Sequence, residues 1–190
     1  MKTWLFNPFK FIAGNKALLL GIGAMLISAI LGYLGKVHQD GVIDVHKGRI
    51  TAPYLYIIEP FTDWICTVIP LYIFGRLASV STIRFIDIAG TAALARYPAI
   101  FAVIINILFV PFINIKGLAD IQNISSGTMA GLVISGIAGL FIIIWIIALL
   151  YNAYSISANL KGSKAIWTFI ASMLIAEIFS KVILISLFNS

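Results

Sequence analysis

Residues 17–35 read ALLLGIGAMLISAILGYLG, an uncharged run that is long enough to cross a lipid bilayer as one α-helix. Four similar runs follow, and their predicted bounds are residues 54–75, 98–115, 128–151 and 166–188. The chain is 61% hydrophobic and only 11% charged, whereas an ordinary soluble domain has roughly 25% charged residues. The sequence therefore predicts an all-α fold, a polytopic transmembrane helical bundle of five spans with lipid around most side chains.

The composition also excludes several classes of protein. The connections between the apolar runs are short, so we expect a single transmembrane domain over residues 1–190 with the lipid bilayer as its partner. The net charge of +6 does not indicate nucleic-acid binding, because the basic residues are scattered singly. We find no phosphate-binding Gly-rich loop, no His-Glu-x-x-His pair and no Ser-His-Asp pattern, so we expect neither an enzyme nor a cofactor.

Basic residues predict the orientation of the chain, because Lys and Arg in short loops stay on the cytoplasmic side. Eight of them fall on the side of the amino terminus: Lys2, Lys10, Lys16, Arg76, Arg84, Arg96, Lys161 and Lys164. Four fall on the opposite side: Lys36, Lys47, Arg49 and Lys116. The count predicts a cytoplasmic amino terminus and a carboxyl terminus outside.

The segment STIRFIDIAGTAALARYP, residues 81–98, separates the second predicted span from the third. Arg84, Asp87 and Thr91 share one face of a helix there, and apolar and small residues take another face. This pattern predicts a short amphipathic helix over residues 82–96 that lies along the cytoplasmic interface. The alternative is a kinked extension of the third span, with a break at Pro98.

Small residues at every fourth position mark one face of the fourth predicted span. They are Gly127, Gly131, Ser135 and Gly139. Such a stripe lets two helix backbones approach closely in lipid, where little hydrophobic force drives helices together. We favour packing against another span of the same chain, and a homo-oligomer or another membrane protein remains the alternative.

Four ionisable residues fall at membrane depth: Glu59, Asp63, Glu177 and Lys181. A charge at this depth costs about 3 kcal/mol on insertion scales, so each one needs a partner or a purpose. With a rise of 1.5 Å per residue, Lys181 lies about 10 Å from its end of the bilayer, level with Glu59 and Asp63. We expect an interhelical ion pair or triad, and the functional alternative is a proton or cation relay.

The predicted outer loop VHQDGVIDVHKGR, residues 37–49, carries several side chains that can bind a transition metal. The weak candidates for metal ligands are His38, Asp40, Asp44 and His46. Their spacing matches no known metal motif, and a solvated turn around Gly41 explains the same composition. We therefore predict no metal site here, and an intramembrane metal-dependent enzyme stays a third hypothesis.

Three stretches resemble the Yip family of small five-pass membrane proteins, which is named from partners of Ypt and Rab GTPases. They are FNPFKFIAG (6–14), TIRFIDIAGTAALARYPAI (82–100) and YNAYSISANLKGSKAIW (151–167). The positions similar to bacterial members are Asn7, Pro8, Gly90, Pro98, Leu160, Gly162, Lys164 and Ala165. The resemblance implies five spans and a cytoplasmic amino terminus, and it supplies no reaction.

Eukaryotic Yip relatives bind prenylated small GTPases and act in vesicle traffic, usually through a longer amino-terminal region with an Asp-Leu-Tyr-Gly-Pro motif. Residues 1–16 lack that motif, so we do not expect a small GTPase as partner. The resemblance implies a bacterial inner-membrane protein with a non-enzymatic organising, scaffolding or membrane-shaping role. The alternative function is a small transporter or channel subunit that uses the intramembrane carboxylates.

Overall fold

The computed structural model describes residues 5–48, 51–110 and 124–188 of the chain. The helices are α1 (Gly14–Gly35), α2 (Leu55–Ala78), α3 (Phe85–Leu94), α4 (Ala99–Phe109), α5 (Ser126–Ser157) and α6 (Gly162–Phe188). A short 3-10 turn, Pro8–Lys10, precedes α1, and two antiparallel strands of two residues, β1 (Val37–His38) and β2 (His46–Lys47), join α1 to α2. The prediction of an all-α architecture is confirmed, apart from this small ribbon.

Five helical segments in the described part of the chain are long and apolar enough to cross a membrane. Four of them are α1, α2, α5 and α6, and they start and end near the predicted bounds or a few residues beyond them. The fifth is the pair α3 and α4, which together form the segment Phe85–Phe109. The third apolar segment therefore begins 13 residues before the predicted start at residue 98. The predicted end of that span, residues 111–115, lies outside the described residues.

The structure corrects the expectation of an interfacial helix over residues 82–96. Every residue from Ile88 to Leu94 is buried, so α3 lies inside the bundle and not along its edge. Small residues dominate α3, and they allow neighbours to approach from several sides, whereas the charged pair Arg84 and Asp87 marks only its beginning. The alternative, a kinked extension of the third span, is the one observed, with Pro98 at the start of α4.

Direct backbone contact holds α3 against α1. A Cβ atom added at Gly21 of α1 would overlap the backbone of Ala93 and Leu94 in α3. A Cβ atom added at Gly90 of α3 would likewise overlap the carbonyl oxygen of Gly14. Glycines therefore set the distance between these two helices, which is the way small residues act between helices in lipid.

The stripe on α5 is used only in part. A Cβ atom at Gly131 would overlap the carbonyl oxygen of Phe109 at the end of α4, and Ser135 is buried. Gly127 and Gly139 have no atom of the described neighbours within 4 Å of an added Cβ. The middle of the stripe thus packs against α4 of the same chain, and its two ends leave room beside the helix.

Candidate functional site

The connection between α1 and α2 folds back into the end of the bundle. Lys36 ends α1 in the left-handed region, with φ 57°, and the strands then pair Val37 with Lys47 and His38 with His46. The side chains of His38, Gln39 and Val42 are buried. Residues 37–48, which we call the inserted loop, therefore reach the charged groups of the surrounding helices.

A buried ion pair lies at the centre of this region. Nη2 of Arg96, in the turn between α3 and α4, lies 3.0 Å from Oδ2 of Asp63 in α2. The Ser180 hydroxyl on α6 donates to the other oxygen of Asp63, and Nη1 of Arg96 donates to the carbonyl of Val42 at 3.2 Å. Asp63 is 0% and Arg96 5% exposed. One network thus joins α2, α6, the α3–α4 turn and the inserted loop.

The count of basic residues places Arg96 in a cytoplasmic loop, and its buried position corrects that assignment. Seven basic residues against four remain after it is removed from the eight, so the predicted orientation keeps its sign. Arg96 and Ser180 are the site residues that sequence reasoning missed. Asp63 could have indicated Arg96 as its partner, because a carboxylate at membrane depth requires a cation. Arg96 lies close to such a depth, two residues before the predicted start of the third span at residue 98.

A second buried contact joins the inserted loop to α2. Nδ1 of His38 lies 2.6 Å from Oε1 of Glu59, and the Gln39 backbone N–H donates to the other carboxylate oxygen at 2.8 Å. The Gln39 side chain also donates to the Ser28 hydroxyl of α1 at 3.2 Å. Because Glu59 is 1% exposed and both its oxygens are bonded, this contact is sealed from water.

Lys181 does not form the expected triad with Glu59 and Asp63. Its Nζ lies 2.7 Å from Oδ2 of Asp44 in the inserted loop and 3.8 Å from Oε1 of Glu177, one turn away on α6. The side chains of Lys181 and Asp44 are 42% and 38% exposed, so this pair is partly in water. Arg96 takes the place that the sequence analysis assigned to Lys181, because it reaches Asp63 from the α3–α4 turn.

Three of the four candidate metal ligands come together at the tip of the inserted loop. One ligand atom from each of Asp40, Asp44 and His46 lies within 4.8 Å of the others, whereas His38 is bonded to Glu59. The donor types suit a divalent transition metal. However, the ammonium group of Lys181 already lies against Asp44, and Nδ1 of His46 lies 3.4 Å from Asp40 and 3.5 Å from Asp44. These ion pairs engage Asp44 and His46, whereas Oδ1 of Asp40 is buried and has no hydrogen-bond partner among the described residues.

His46 should titrate above its ordinary pKa of 6.5. Its contact with the Asp44 carboxylate raises the pKa, and the charge of Asp40 adds to the effect, against the opposing influence of partial burial. The contact of protonated His46 with Asp44 therefore stabilises the folded state. This contribution is complete below pH 6.5 and is lost as the pH rises through the folded-state pKa of His46. An NMR titration should therefore give a His46 midpoint above 6.5, and Asp44→Asn should lower it.

The His46 signal can be assigned by its loss in His46→Gln. Asp87→Asn is a matched control, because Asp87 pairs with Arg84 at the start of α3 and should leave the midpoint unchanged. A midpoint at or below 6.5 in the unaltered protein would contradict the described geometry of the loop tip.

Four of the positions on which the predicted resemblance to the Yip family rests have turn or packing roles in this fold. Pro8 begins the 3-10 turn, Pro98 precedes α4, and Gly162 begins α6 with φ 65°. Gly90 lies against the backbone of Gly14. No family model, curated protein or solved structure matches the chain.

Proposed function

We propose that the chain is an integral membrane protein of the Yip type, with five spans and a cytoplasmic amino terminus, in a bacterial inner membrane. Its role is to organise, scaffold or shape the membrane without catalysis. The five apolar helices support the membrane location. So do the large apolar side chains on their outer faces, such as Leu19, Phe141 and Leu174, which are 73%, 69% and 62% exposed.

The burial of the two central carboxylates, Asp63 and Glu59, is the observation that favours a scaffold over a transporter. A coupling carboxylate must exchange its proton or cation with water during transport. Asp63 and Glu59 instead have both oxygens occupied by protein donors and are 0% and 1% exposed. Their contacts tie the helices and the inserted loop into one arrangement, which suits a fixed structural part.

The transporter alternative is supported by a second cluster of charged side chains, formed by Asp44, Glu177 and Lys181. Oε2 of Glu177 is buried and has no hydrogen-bond partner among the described residues, and it lies on the same side chain that contacts Lys181. A partly wet cluster therefore stands beside the sealed pair of Arg96 and Asp63. A relay would have to break that pair in each cycle.

Ion flux in reconstituted vesicles distinguishes the two functions. Liposomes that contain the protein and a pH-sensitive dye receive a proton or sodium gradient, and protein-free liposomes serve as the reference. We expect equal rates of dye response, because the central carboxylates are sealed. Flux above the reference that is lost in Asp63→Asn, with the variant still inserted and folded, would overturn the scaffold proposal in favour of transport.

The shape of the vesicles tests the proposed organising or membrane-shaping role directly. Electron cryo-microscopy of the same vesicles, at rising ratios of protein to lipid, should show a protein-dependent change in diameter or clustering. Unchanged vesicles at every ratio would count against an organising or shaping role.

A further inference from the structure

The tip of the inserted loop brings one imidazole and two carboxylates together. The pairing of His38 with His46 fixes the position of His46 in β2. The backbone N–H of Asp44 donates to the carbonyl of Gly41 at 3.3 Å, which closes the turn. A ligand atom of each of Asp40, Asp44 and His46 lies within 4.8 Å of the other two. The backbone of the ribbon and its turn therefore hold three candidate metal ligands, which we call the loop-tip triad, in one place.

The distances inside the loop-tip triad fit a bound metal ion. Nδ1 of His46 lies 3.4 Å from Oδ1 of Asp40 and 3.5 Å from Oδ1 of Asp44. Charge-assisted N–H···O hydrogen bonds are shorter, about 2.7–2.9 Å. Two ligand atoms of a tetrahedral zinc ion, each about 2.1 Å from the metal, lie about 3.4 Å apart. Both distances therefore match neighbouring ligands of one ion.

The buried oxygen of Asp40 needs a partner. Oδ1 of Asp40, the atom 3.4 Å from His46, accepts no hydrogen bond from the described residues. A buried carboxylate oxygen without a donor or a cation is unfavourable. A metal ion between the three ligand atoms binds this oxygen directly, without the space that a water molecule requires. The side chains of Asp40 and His46 as a whole are 29% and 47% exposed, so an ion can reach the triad from solvent.

Lys181 supports the triad and does not block it. Its Nζ lies 2.7 Å from Oδ2 of Asp44, whereas the oxygen 3.5 Å from His46 is Oδ1. The lysine thus engages one carboxylate oxygen and leaves the other for a metal ion, as hydrogen bonds to ligating carboxylates do in metal sites. Glu177 lies 3.8 Å from the same ammonium group. With neutral His46, three carboxylates and one lysine leave two net negative charges, which a divalent cation neutralises.

We propose that Asp40, Asp44 and His46 bind one divalent transition metal ion, with Zn²⁺ as the preferred ion. The imidazole nitrogen favours a transition metal over Mg²⁺ and Ca²⁺, which prefer oxygen ligands and more of them. Three protein ligands leave a fourth tetrahedral position for a water molecule. The site is independent of the scaffold role proposed above, and its test in micelles does not require that role.

The bound metal fixes the inserted loop in the bundle. The same loop supplies the backbone N–H of Gln39 to Glu59 and the carbonyl of Val42 to Arg96. An ion at the tip stabilises the folded state, because the unfolded chain does not hold the three ligands together. Zn²⁺ should therefore raise the melting temperature and slow hydrogen exchange in residues 37–48.

Calorimetric titration with Zn²⁺ tests the site. The full chain, without a polyhistidine tag, is purified in detergent micelles, stripped of metal with a chelator and titrated with zinc chloride. We expect one ion per chain. Asp40→Asn, Asp44→Asn and His46→Gln should each weaken binding by at least about 10–100-fold, since changes to groups that only orient metal ligands already cost this much. X-ray absorption at the zinc edge should show one imidazole among nitrogen and oxygen ligands.

Asp87→Asn is the matched control, because the Asp87 side chain is 26% exposed, close to the 29% of Asp40, and also pairs with a basic residue. It should leave the affinity for Zn²⁺ unchanged. The melting temperature of each metal-free variant shows whether it is folded, and the three ligands provide three independent variants. Equal affinity in His46→Gln and the unaltered protein, displacement of zinc by equimolar Mg²⁺ or Ca²⁺, or binding that none of the three variants weakens would each overturn the metal site.

Discussion

Arg96→Leu is expected to lower the free energy of unfolding by about 3–5 kcal/mol, because it leaves the carboxylate of Asp63 buried without its cation. Asp63→Leu should cost a similar amount, since it leaves the guanidinium of Arg96 buried with only the carbonyl of Val42 as a described acceptor. Unfolding in mixed micelles, followed by circular dichroism, measures both losses. They should be the largest single-residue effects in the bundle.

The double variant Asp63→Leu/Arg96→Leu should recover much of that loss. Two apolar side chains of suitable size remove both desolvation penalties at once, and replacing buried ion pairs in this way is often neutral or stabilising. The double-mutant cycle should therefore show a coupling energy of about 2 kcal/mol or more. Additive losses would show that the two side chains act independently.

Lys181→Leu is the control for these variants. Its pair with Asp44 is partly exposed, and exposed ion pairs contribute about 0–1 kcal/mol. A loss for Lys181→Leu as large as that for Arg96→Leu would place the structurally important cation on α6 and contradict the described network.

Gly21→Ala is the second variant with a large expected effect. The added methyl group would overlap the backbone of Ala93 and Leu94, and a backbone cannot rotate away as a side chain can. Overpacking of this kind costs about 1–3 kcal/mol or more. The expected result is a lower melting temperature, together with looser packing of α3 that hydrogen exchange detects at residues 85–94.

Gly23→Ala provides a control only two positions away on the same helix. A Cβ atom at Gly23 meets no described atom within 4 Å, and alanine favours helix over glycine by about 1 kcal/mol. Gly23→Ala should therefore be neutral or stabilising. An equal loss at Gly23 would show that contact with α3 does not explain the loss at Gly21, because helix propensity alone favours alanine at both positions.

Much of the architecture follows from patterns along the chain. Long apolar runs must become helices in an apolar environment, because a backbone there satisfies its own hydrogen bonds only within a helix or a closed barrel. For this reason the predicted bounds of the four simple apolar runs lie close to the observed ones. The segment around α3 was misplaced because its Ala, Gly and Thr residues suit both an interface and a tightly packed interior. The shared face of Arg84, Asp87 and Thr91 favours the interface in the sequence pattern.

The partners of the buried charged groups could not be predicted from the sequence. Depth along a helix placed Lys181 level with Glu59 and Asp63, but depth does not specify which side of a helix a residue faces. The observed partner of Asp63 is Arg96, from a bend that the sequence analysis placed outside the bundle. The partner of Glu59 is His38, from a loop that was expected to be solvated.

Composition and length are enough to predict five apolar helices and the approximate bounds of four of them, because they decide whether a run can lie in lipid. Contacts in the folded chain were needed to show that α3 lies inside the bundle, that the inserted loop enters it, and that Arg96 neutralises Asp63. These features depend on contacts between residues distant along the chain. Such contacts are selected by shape and by the need of each buried charge for a counter-charge, and neither leaves a periodic pattern in the sequence.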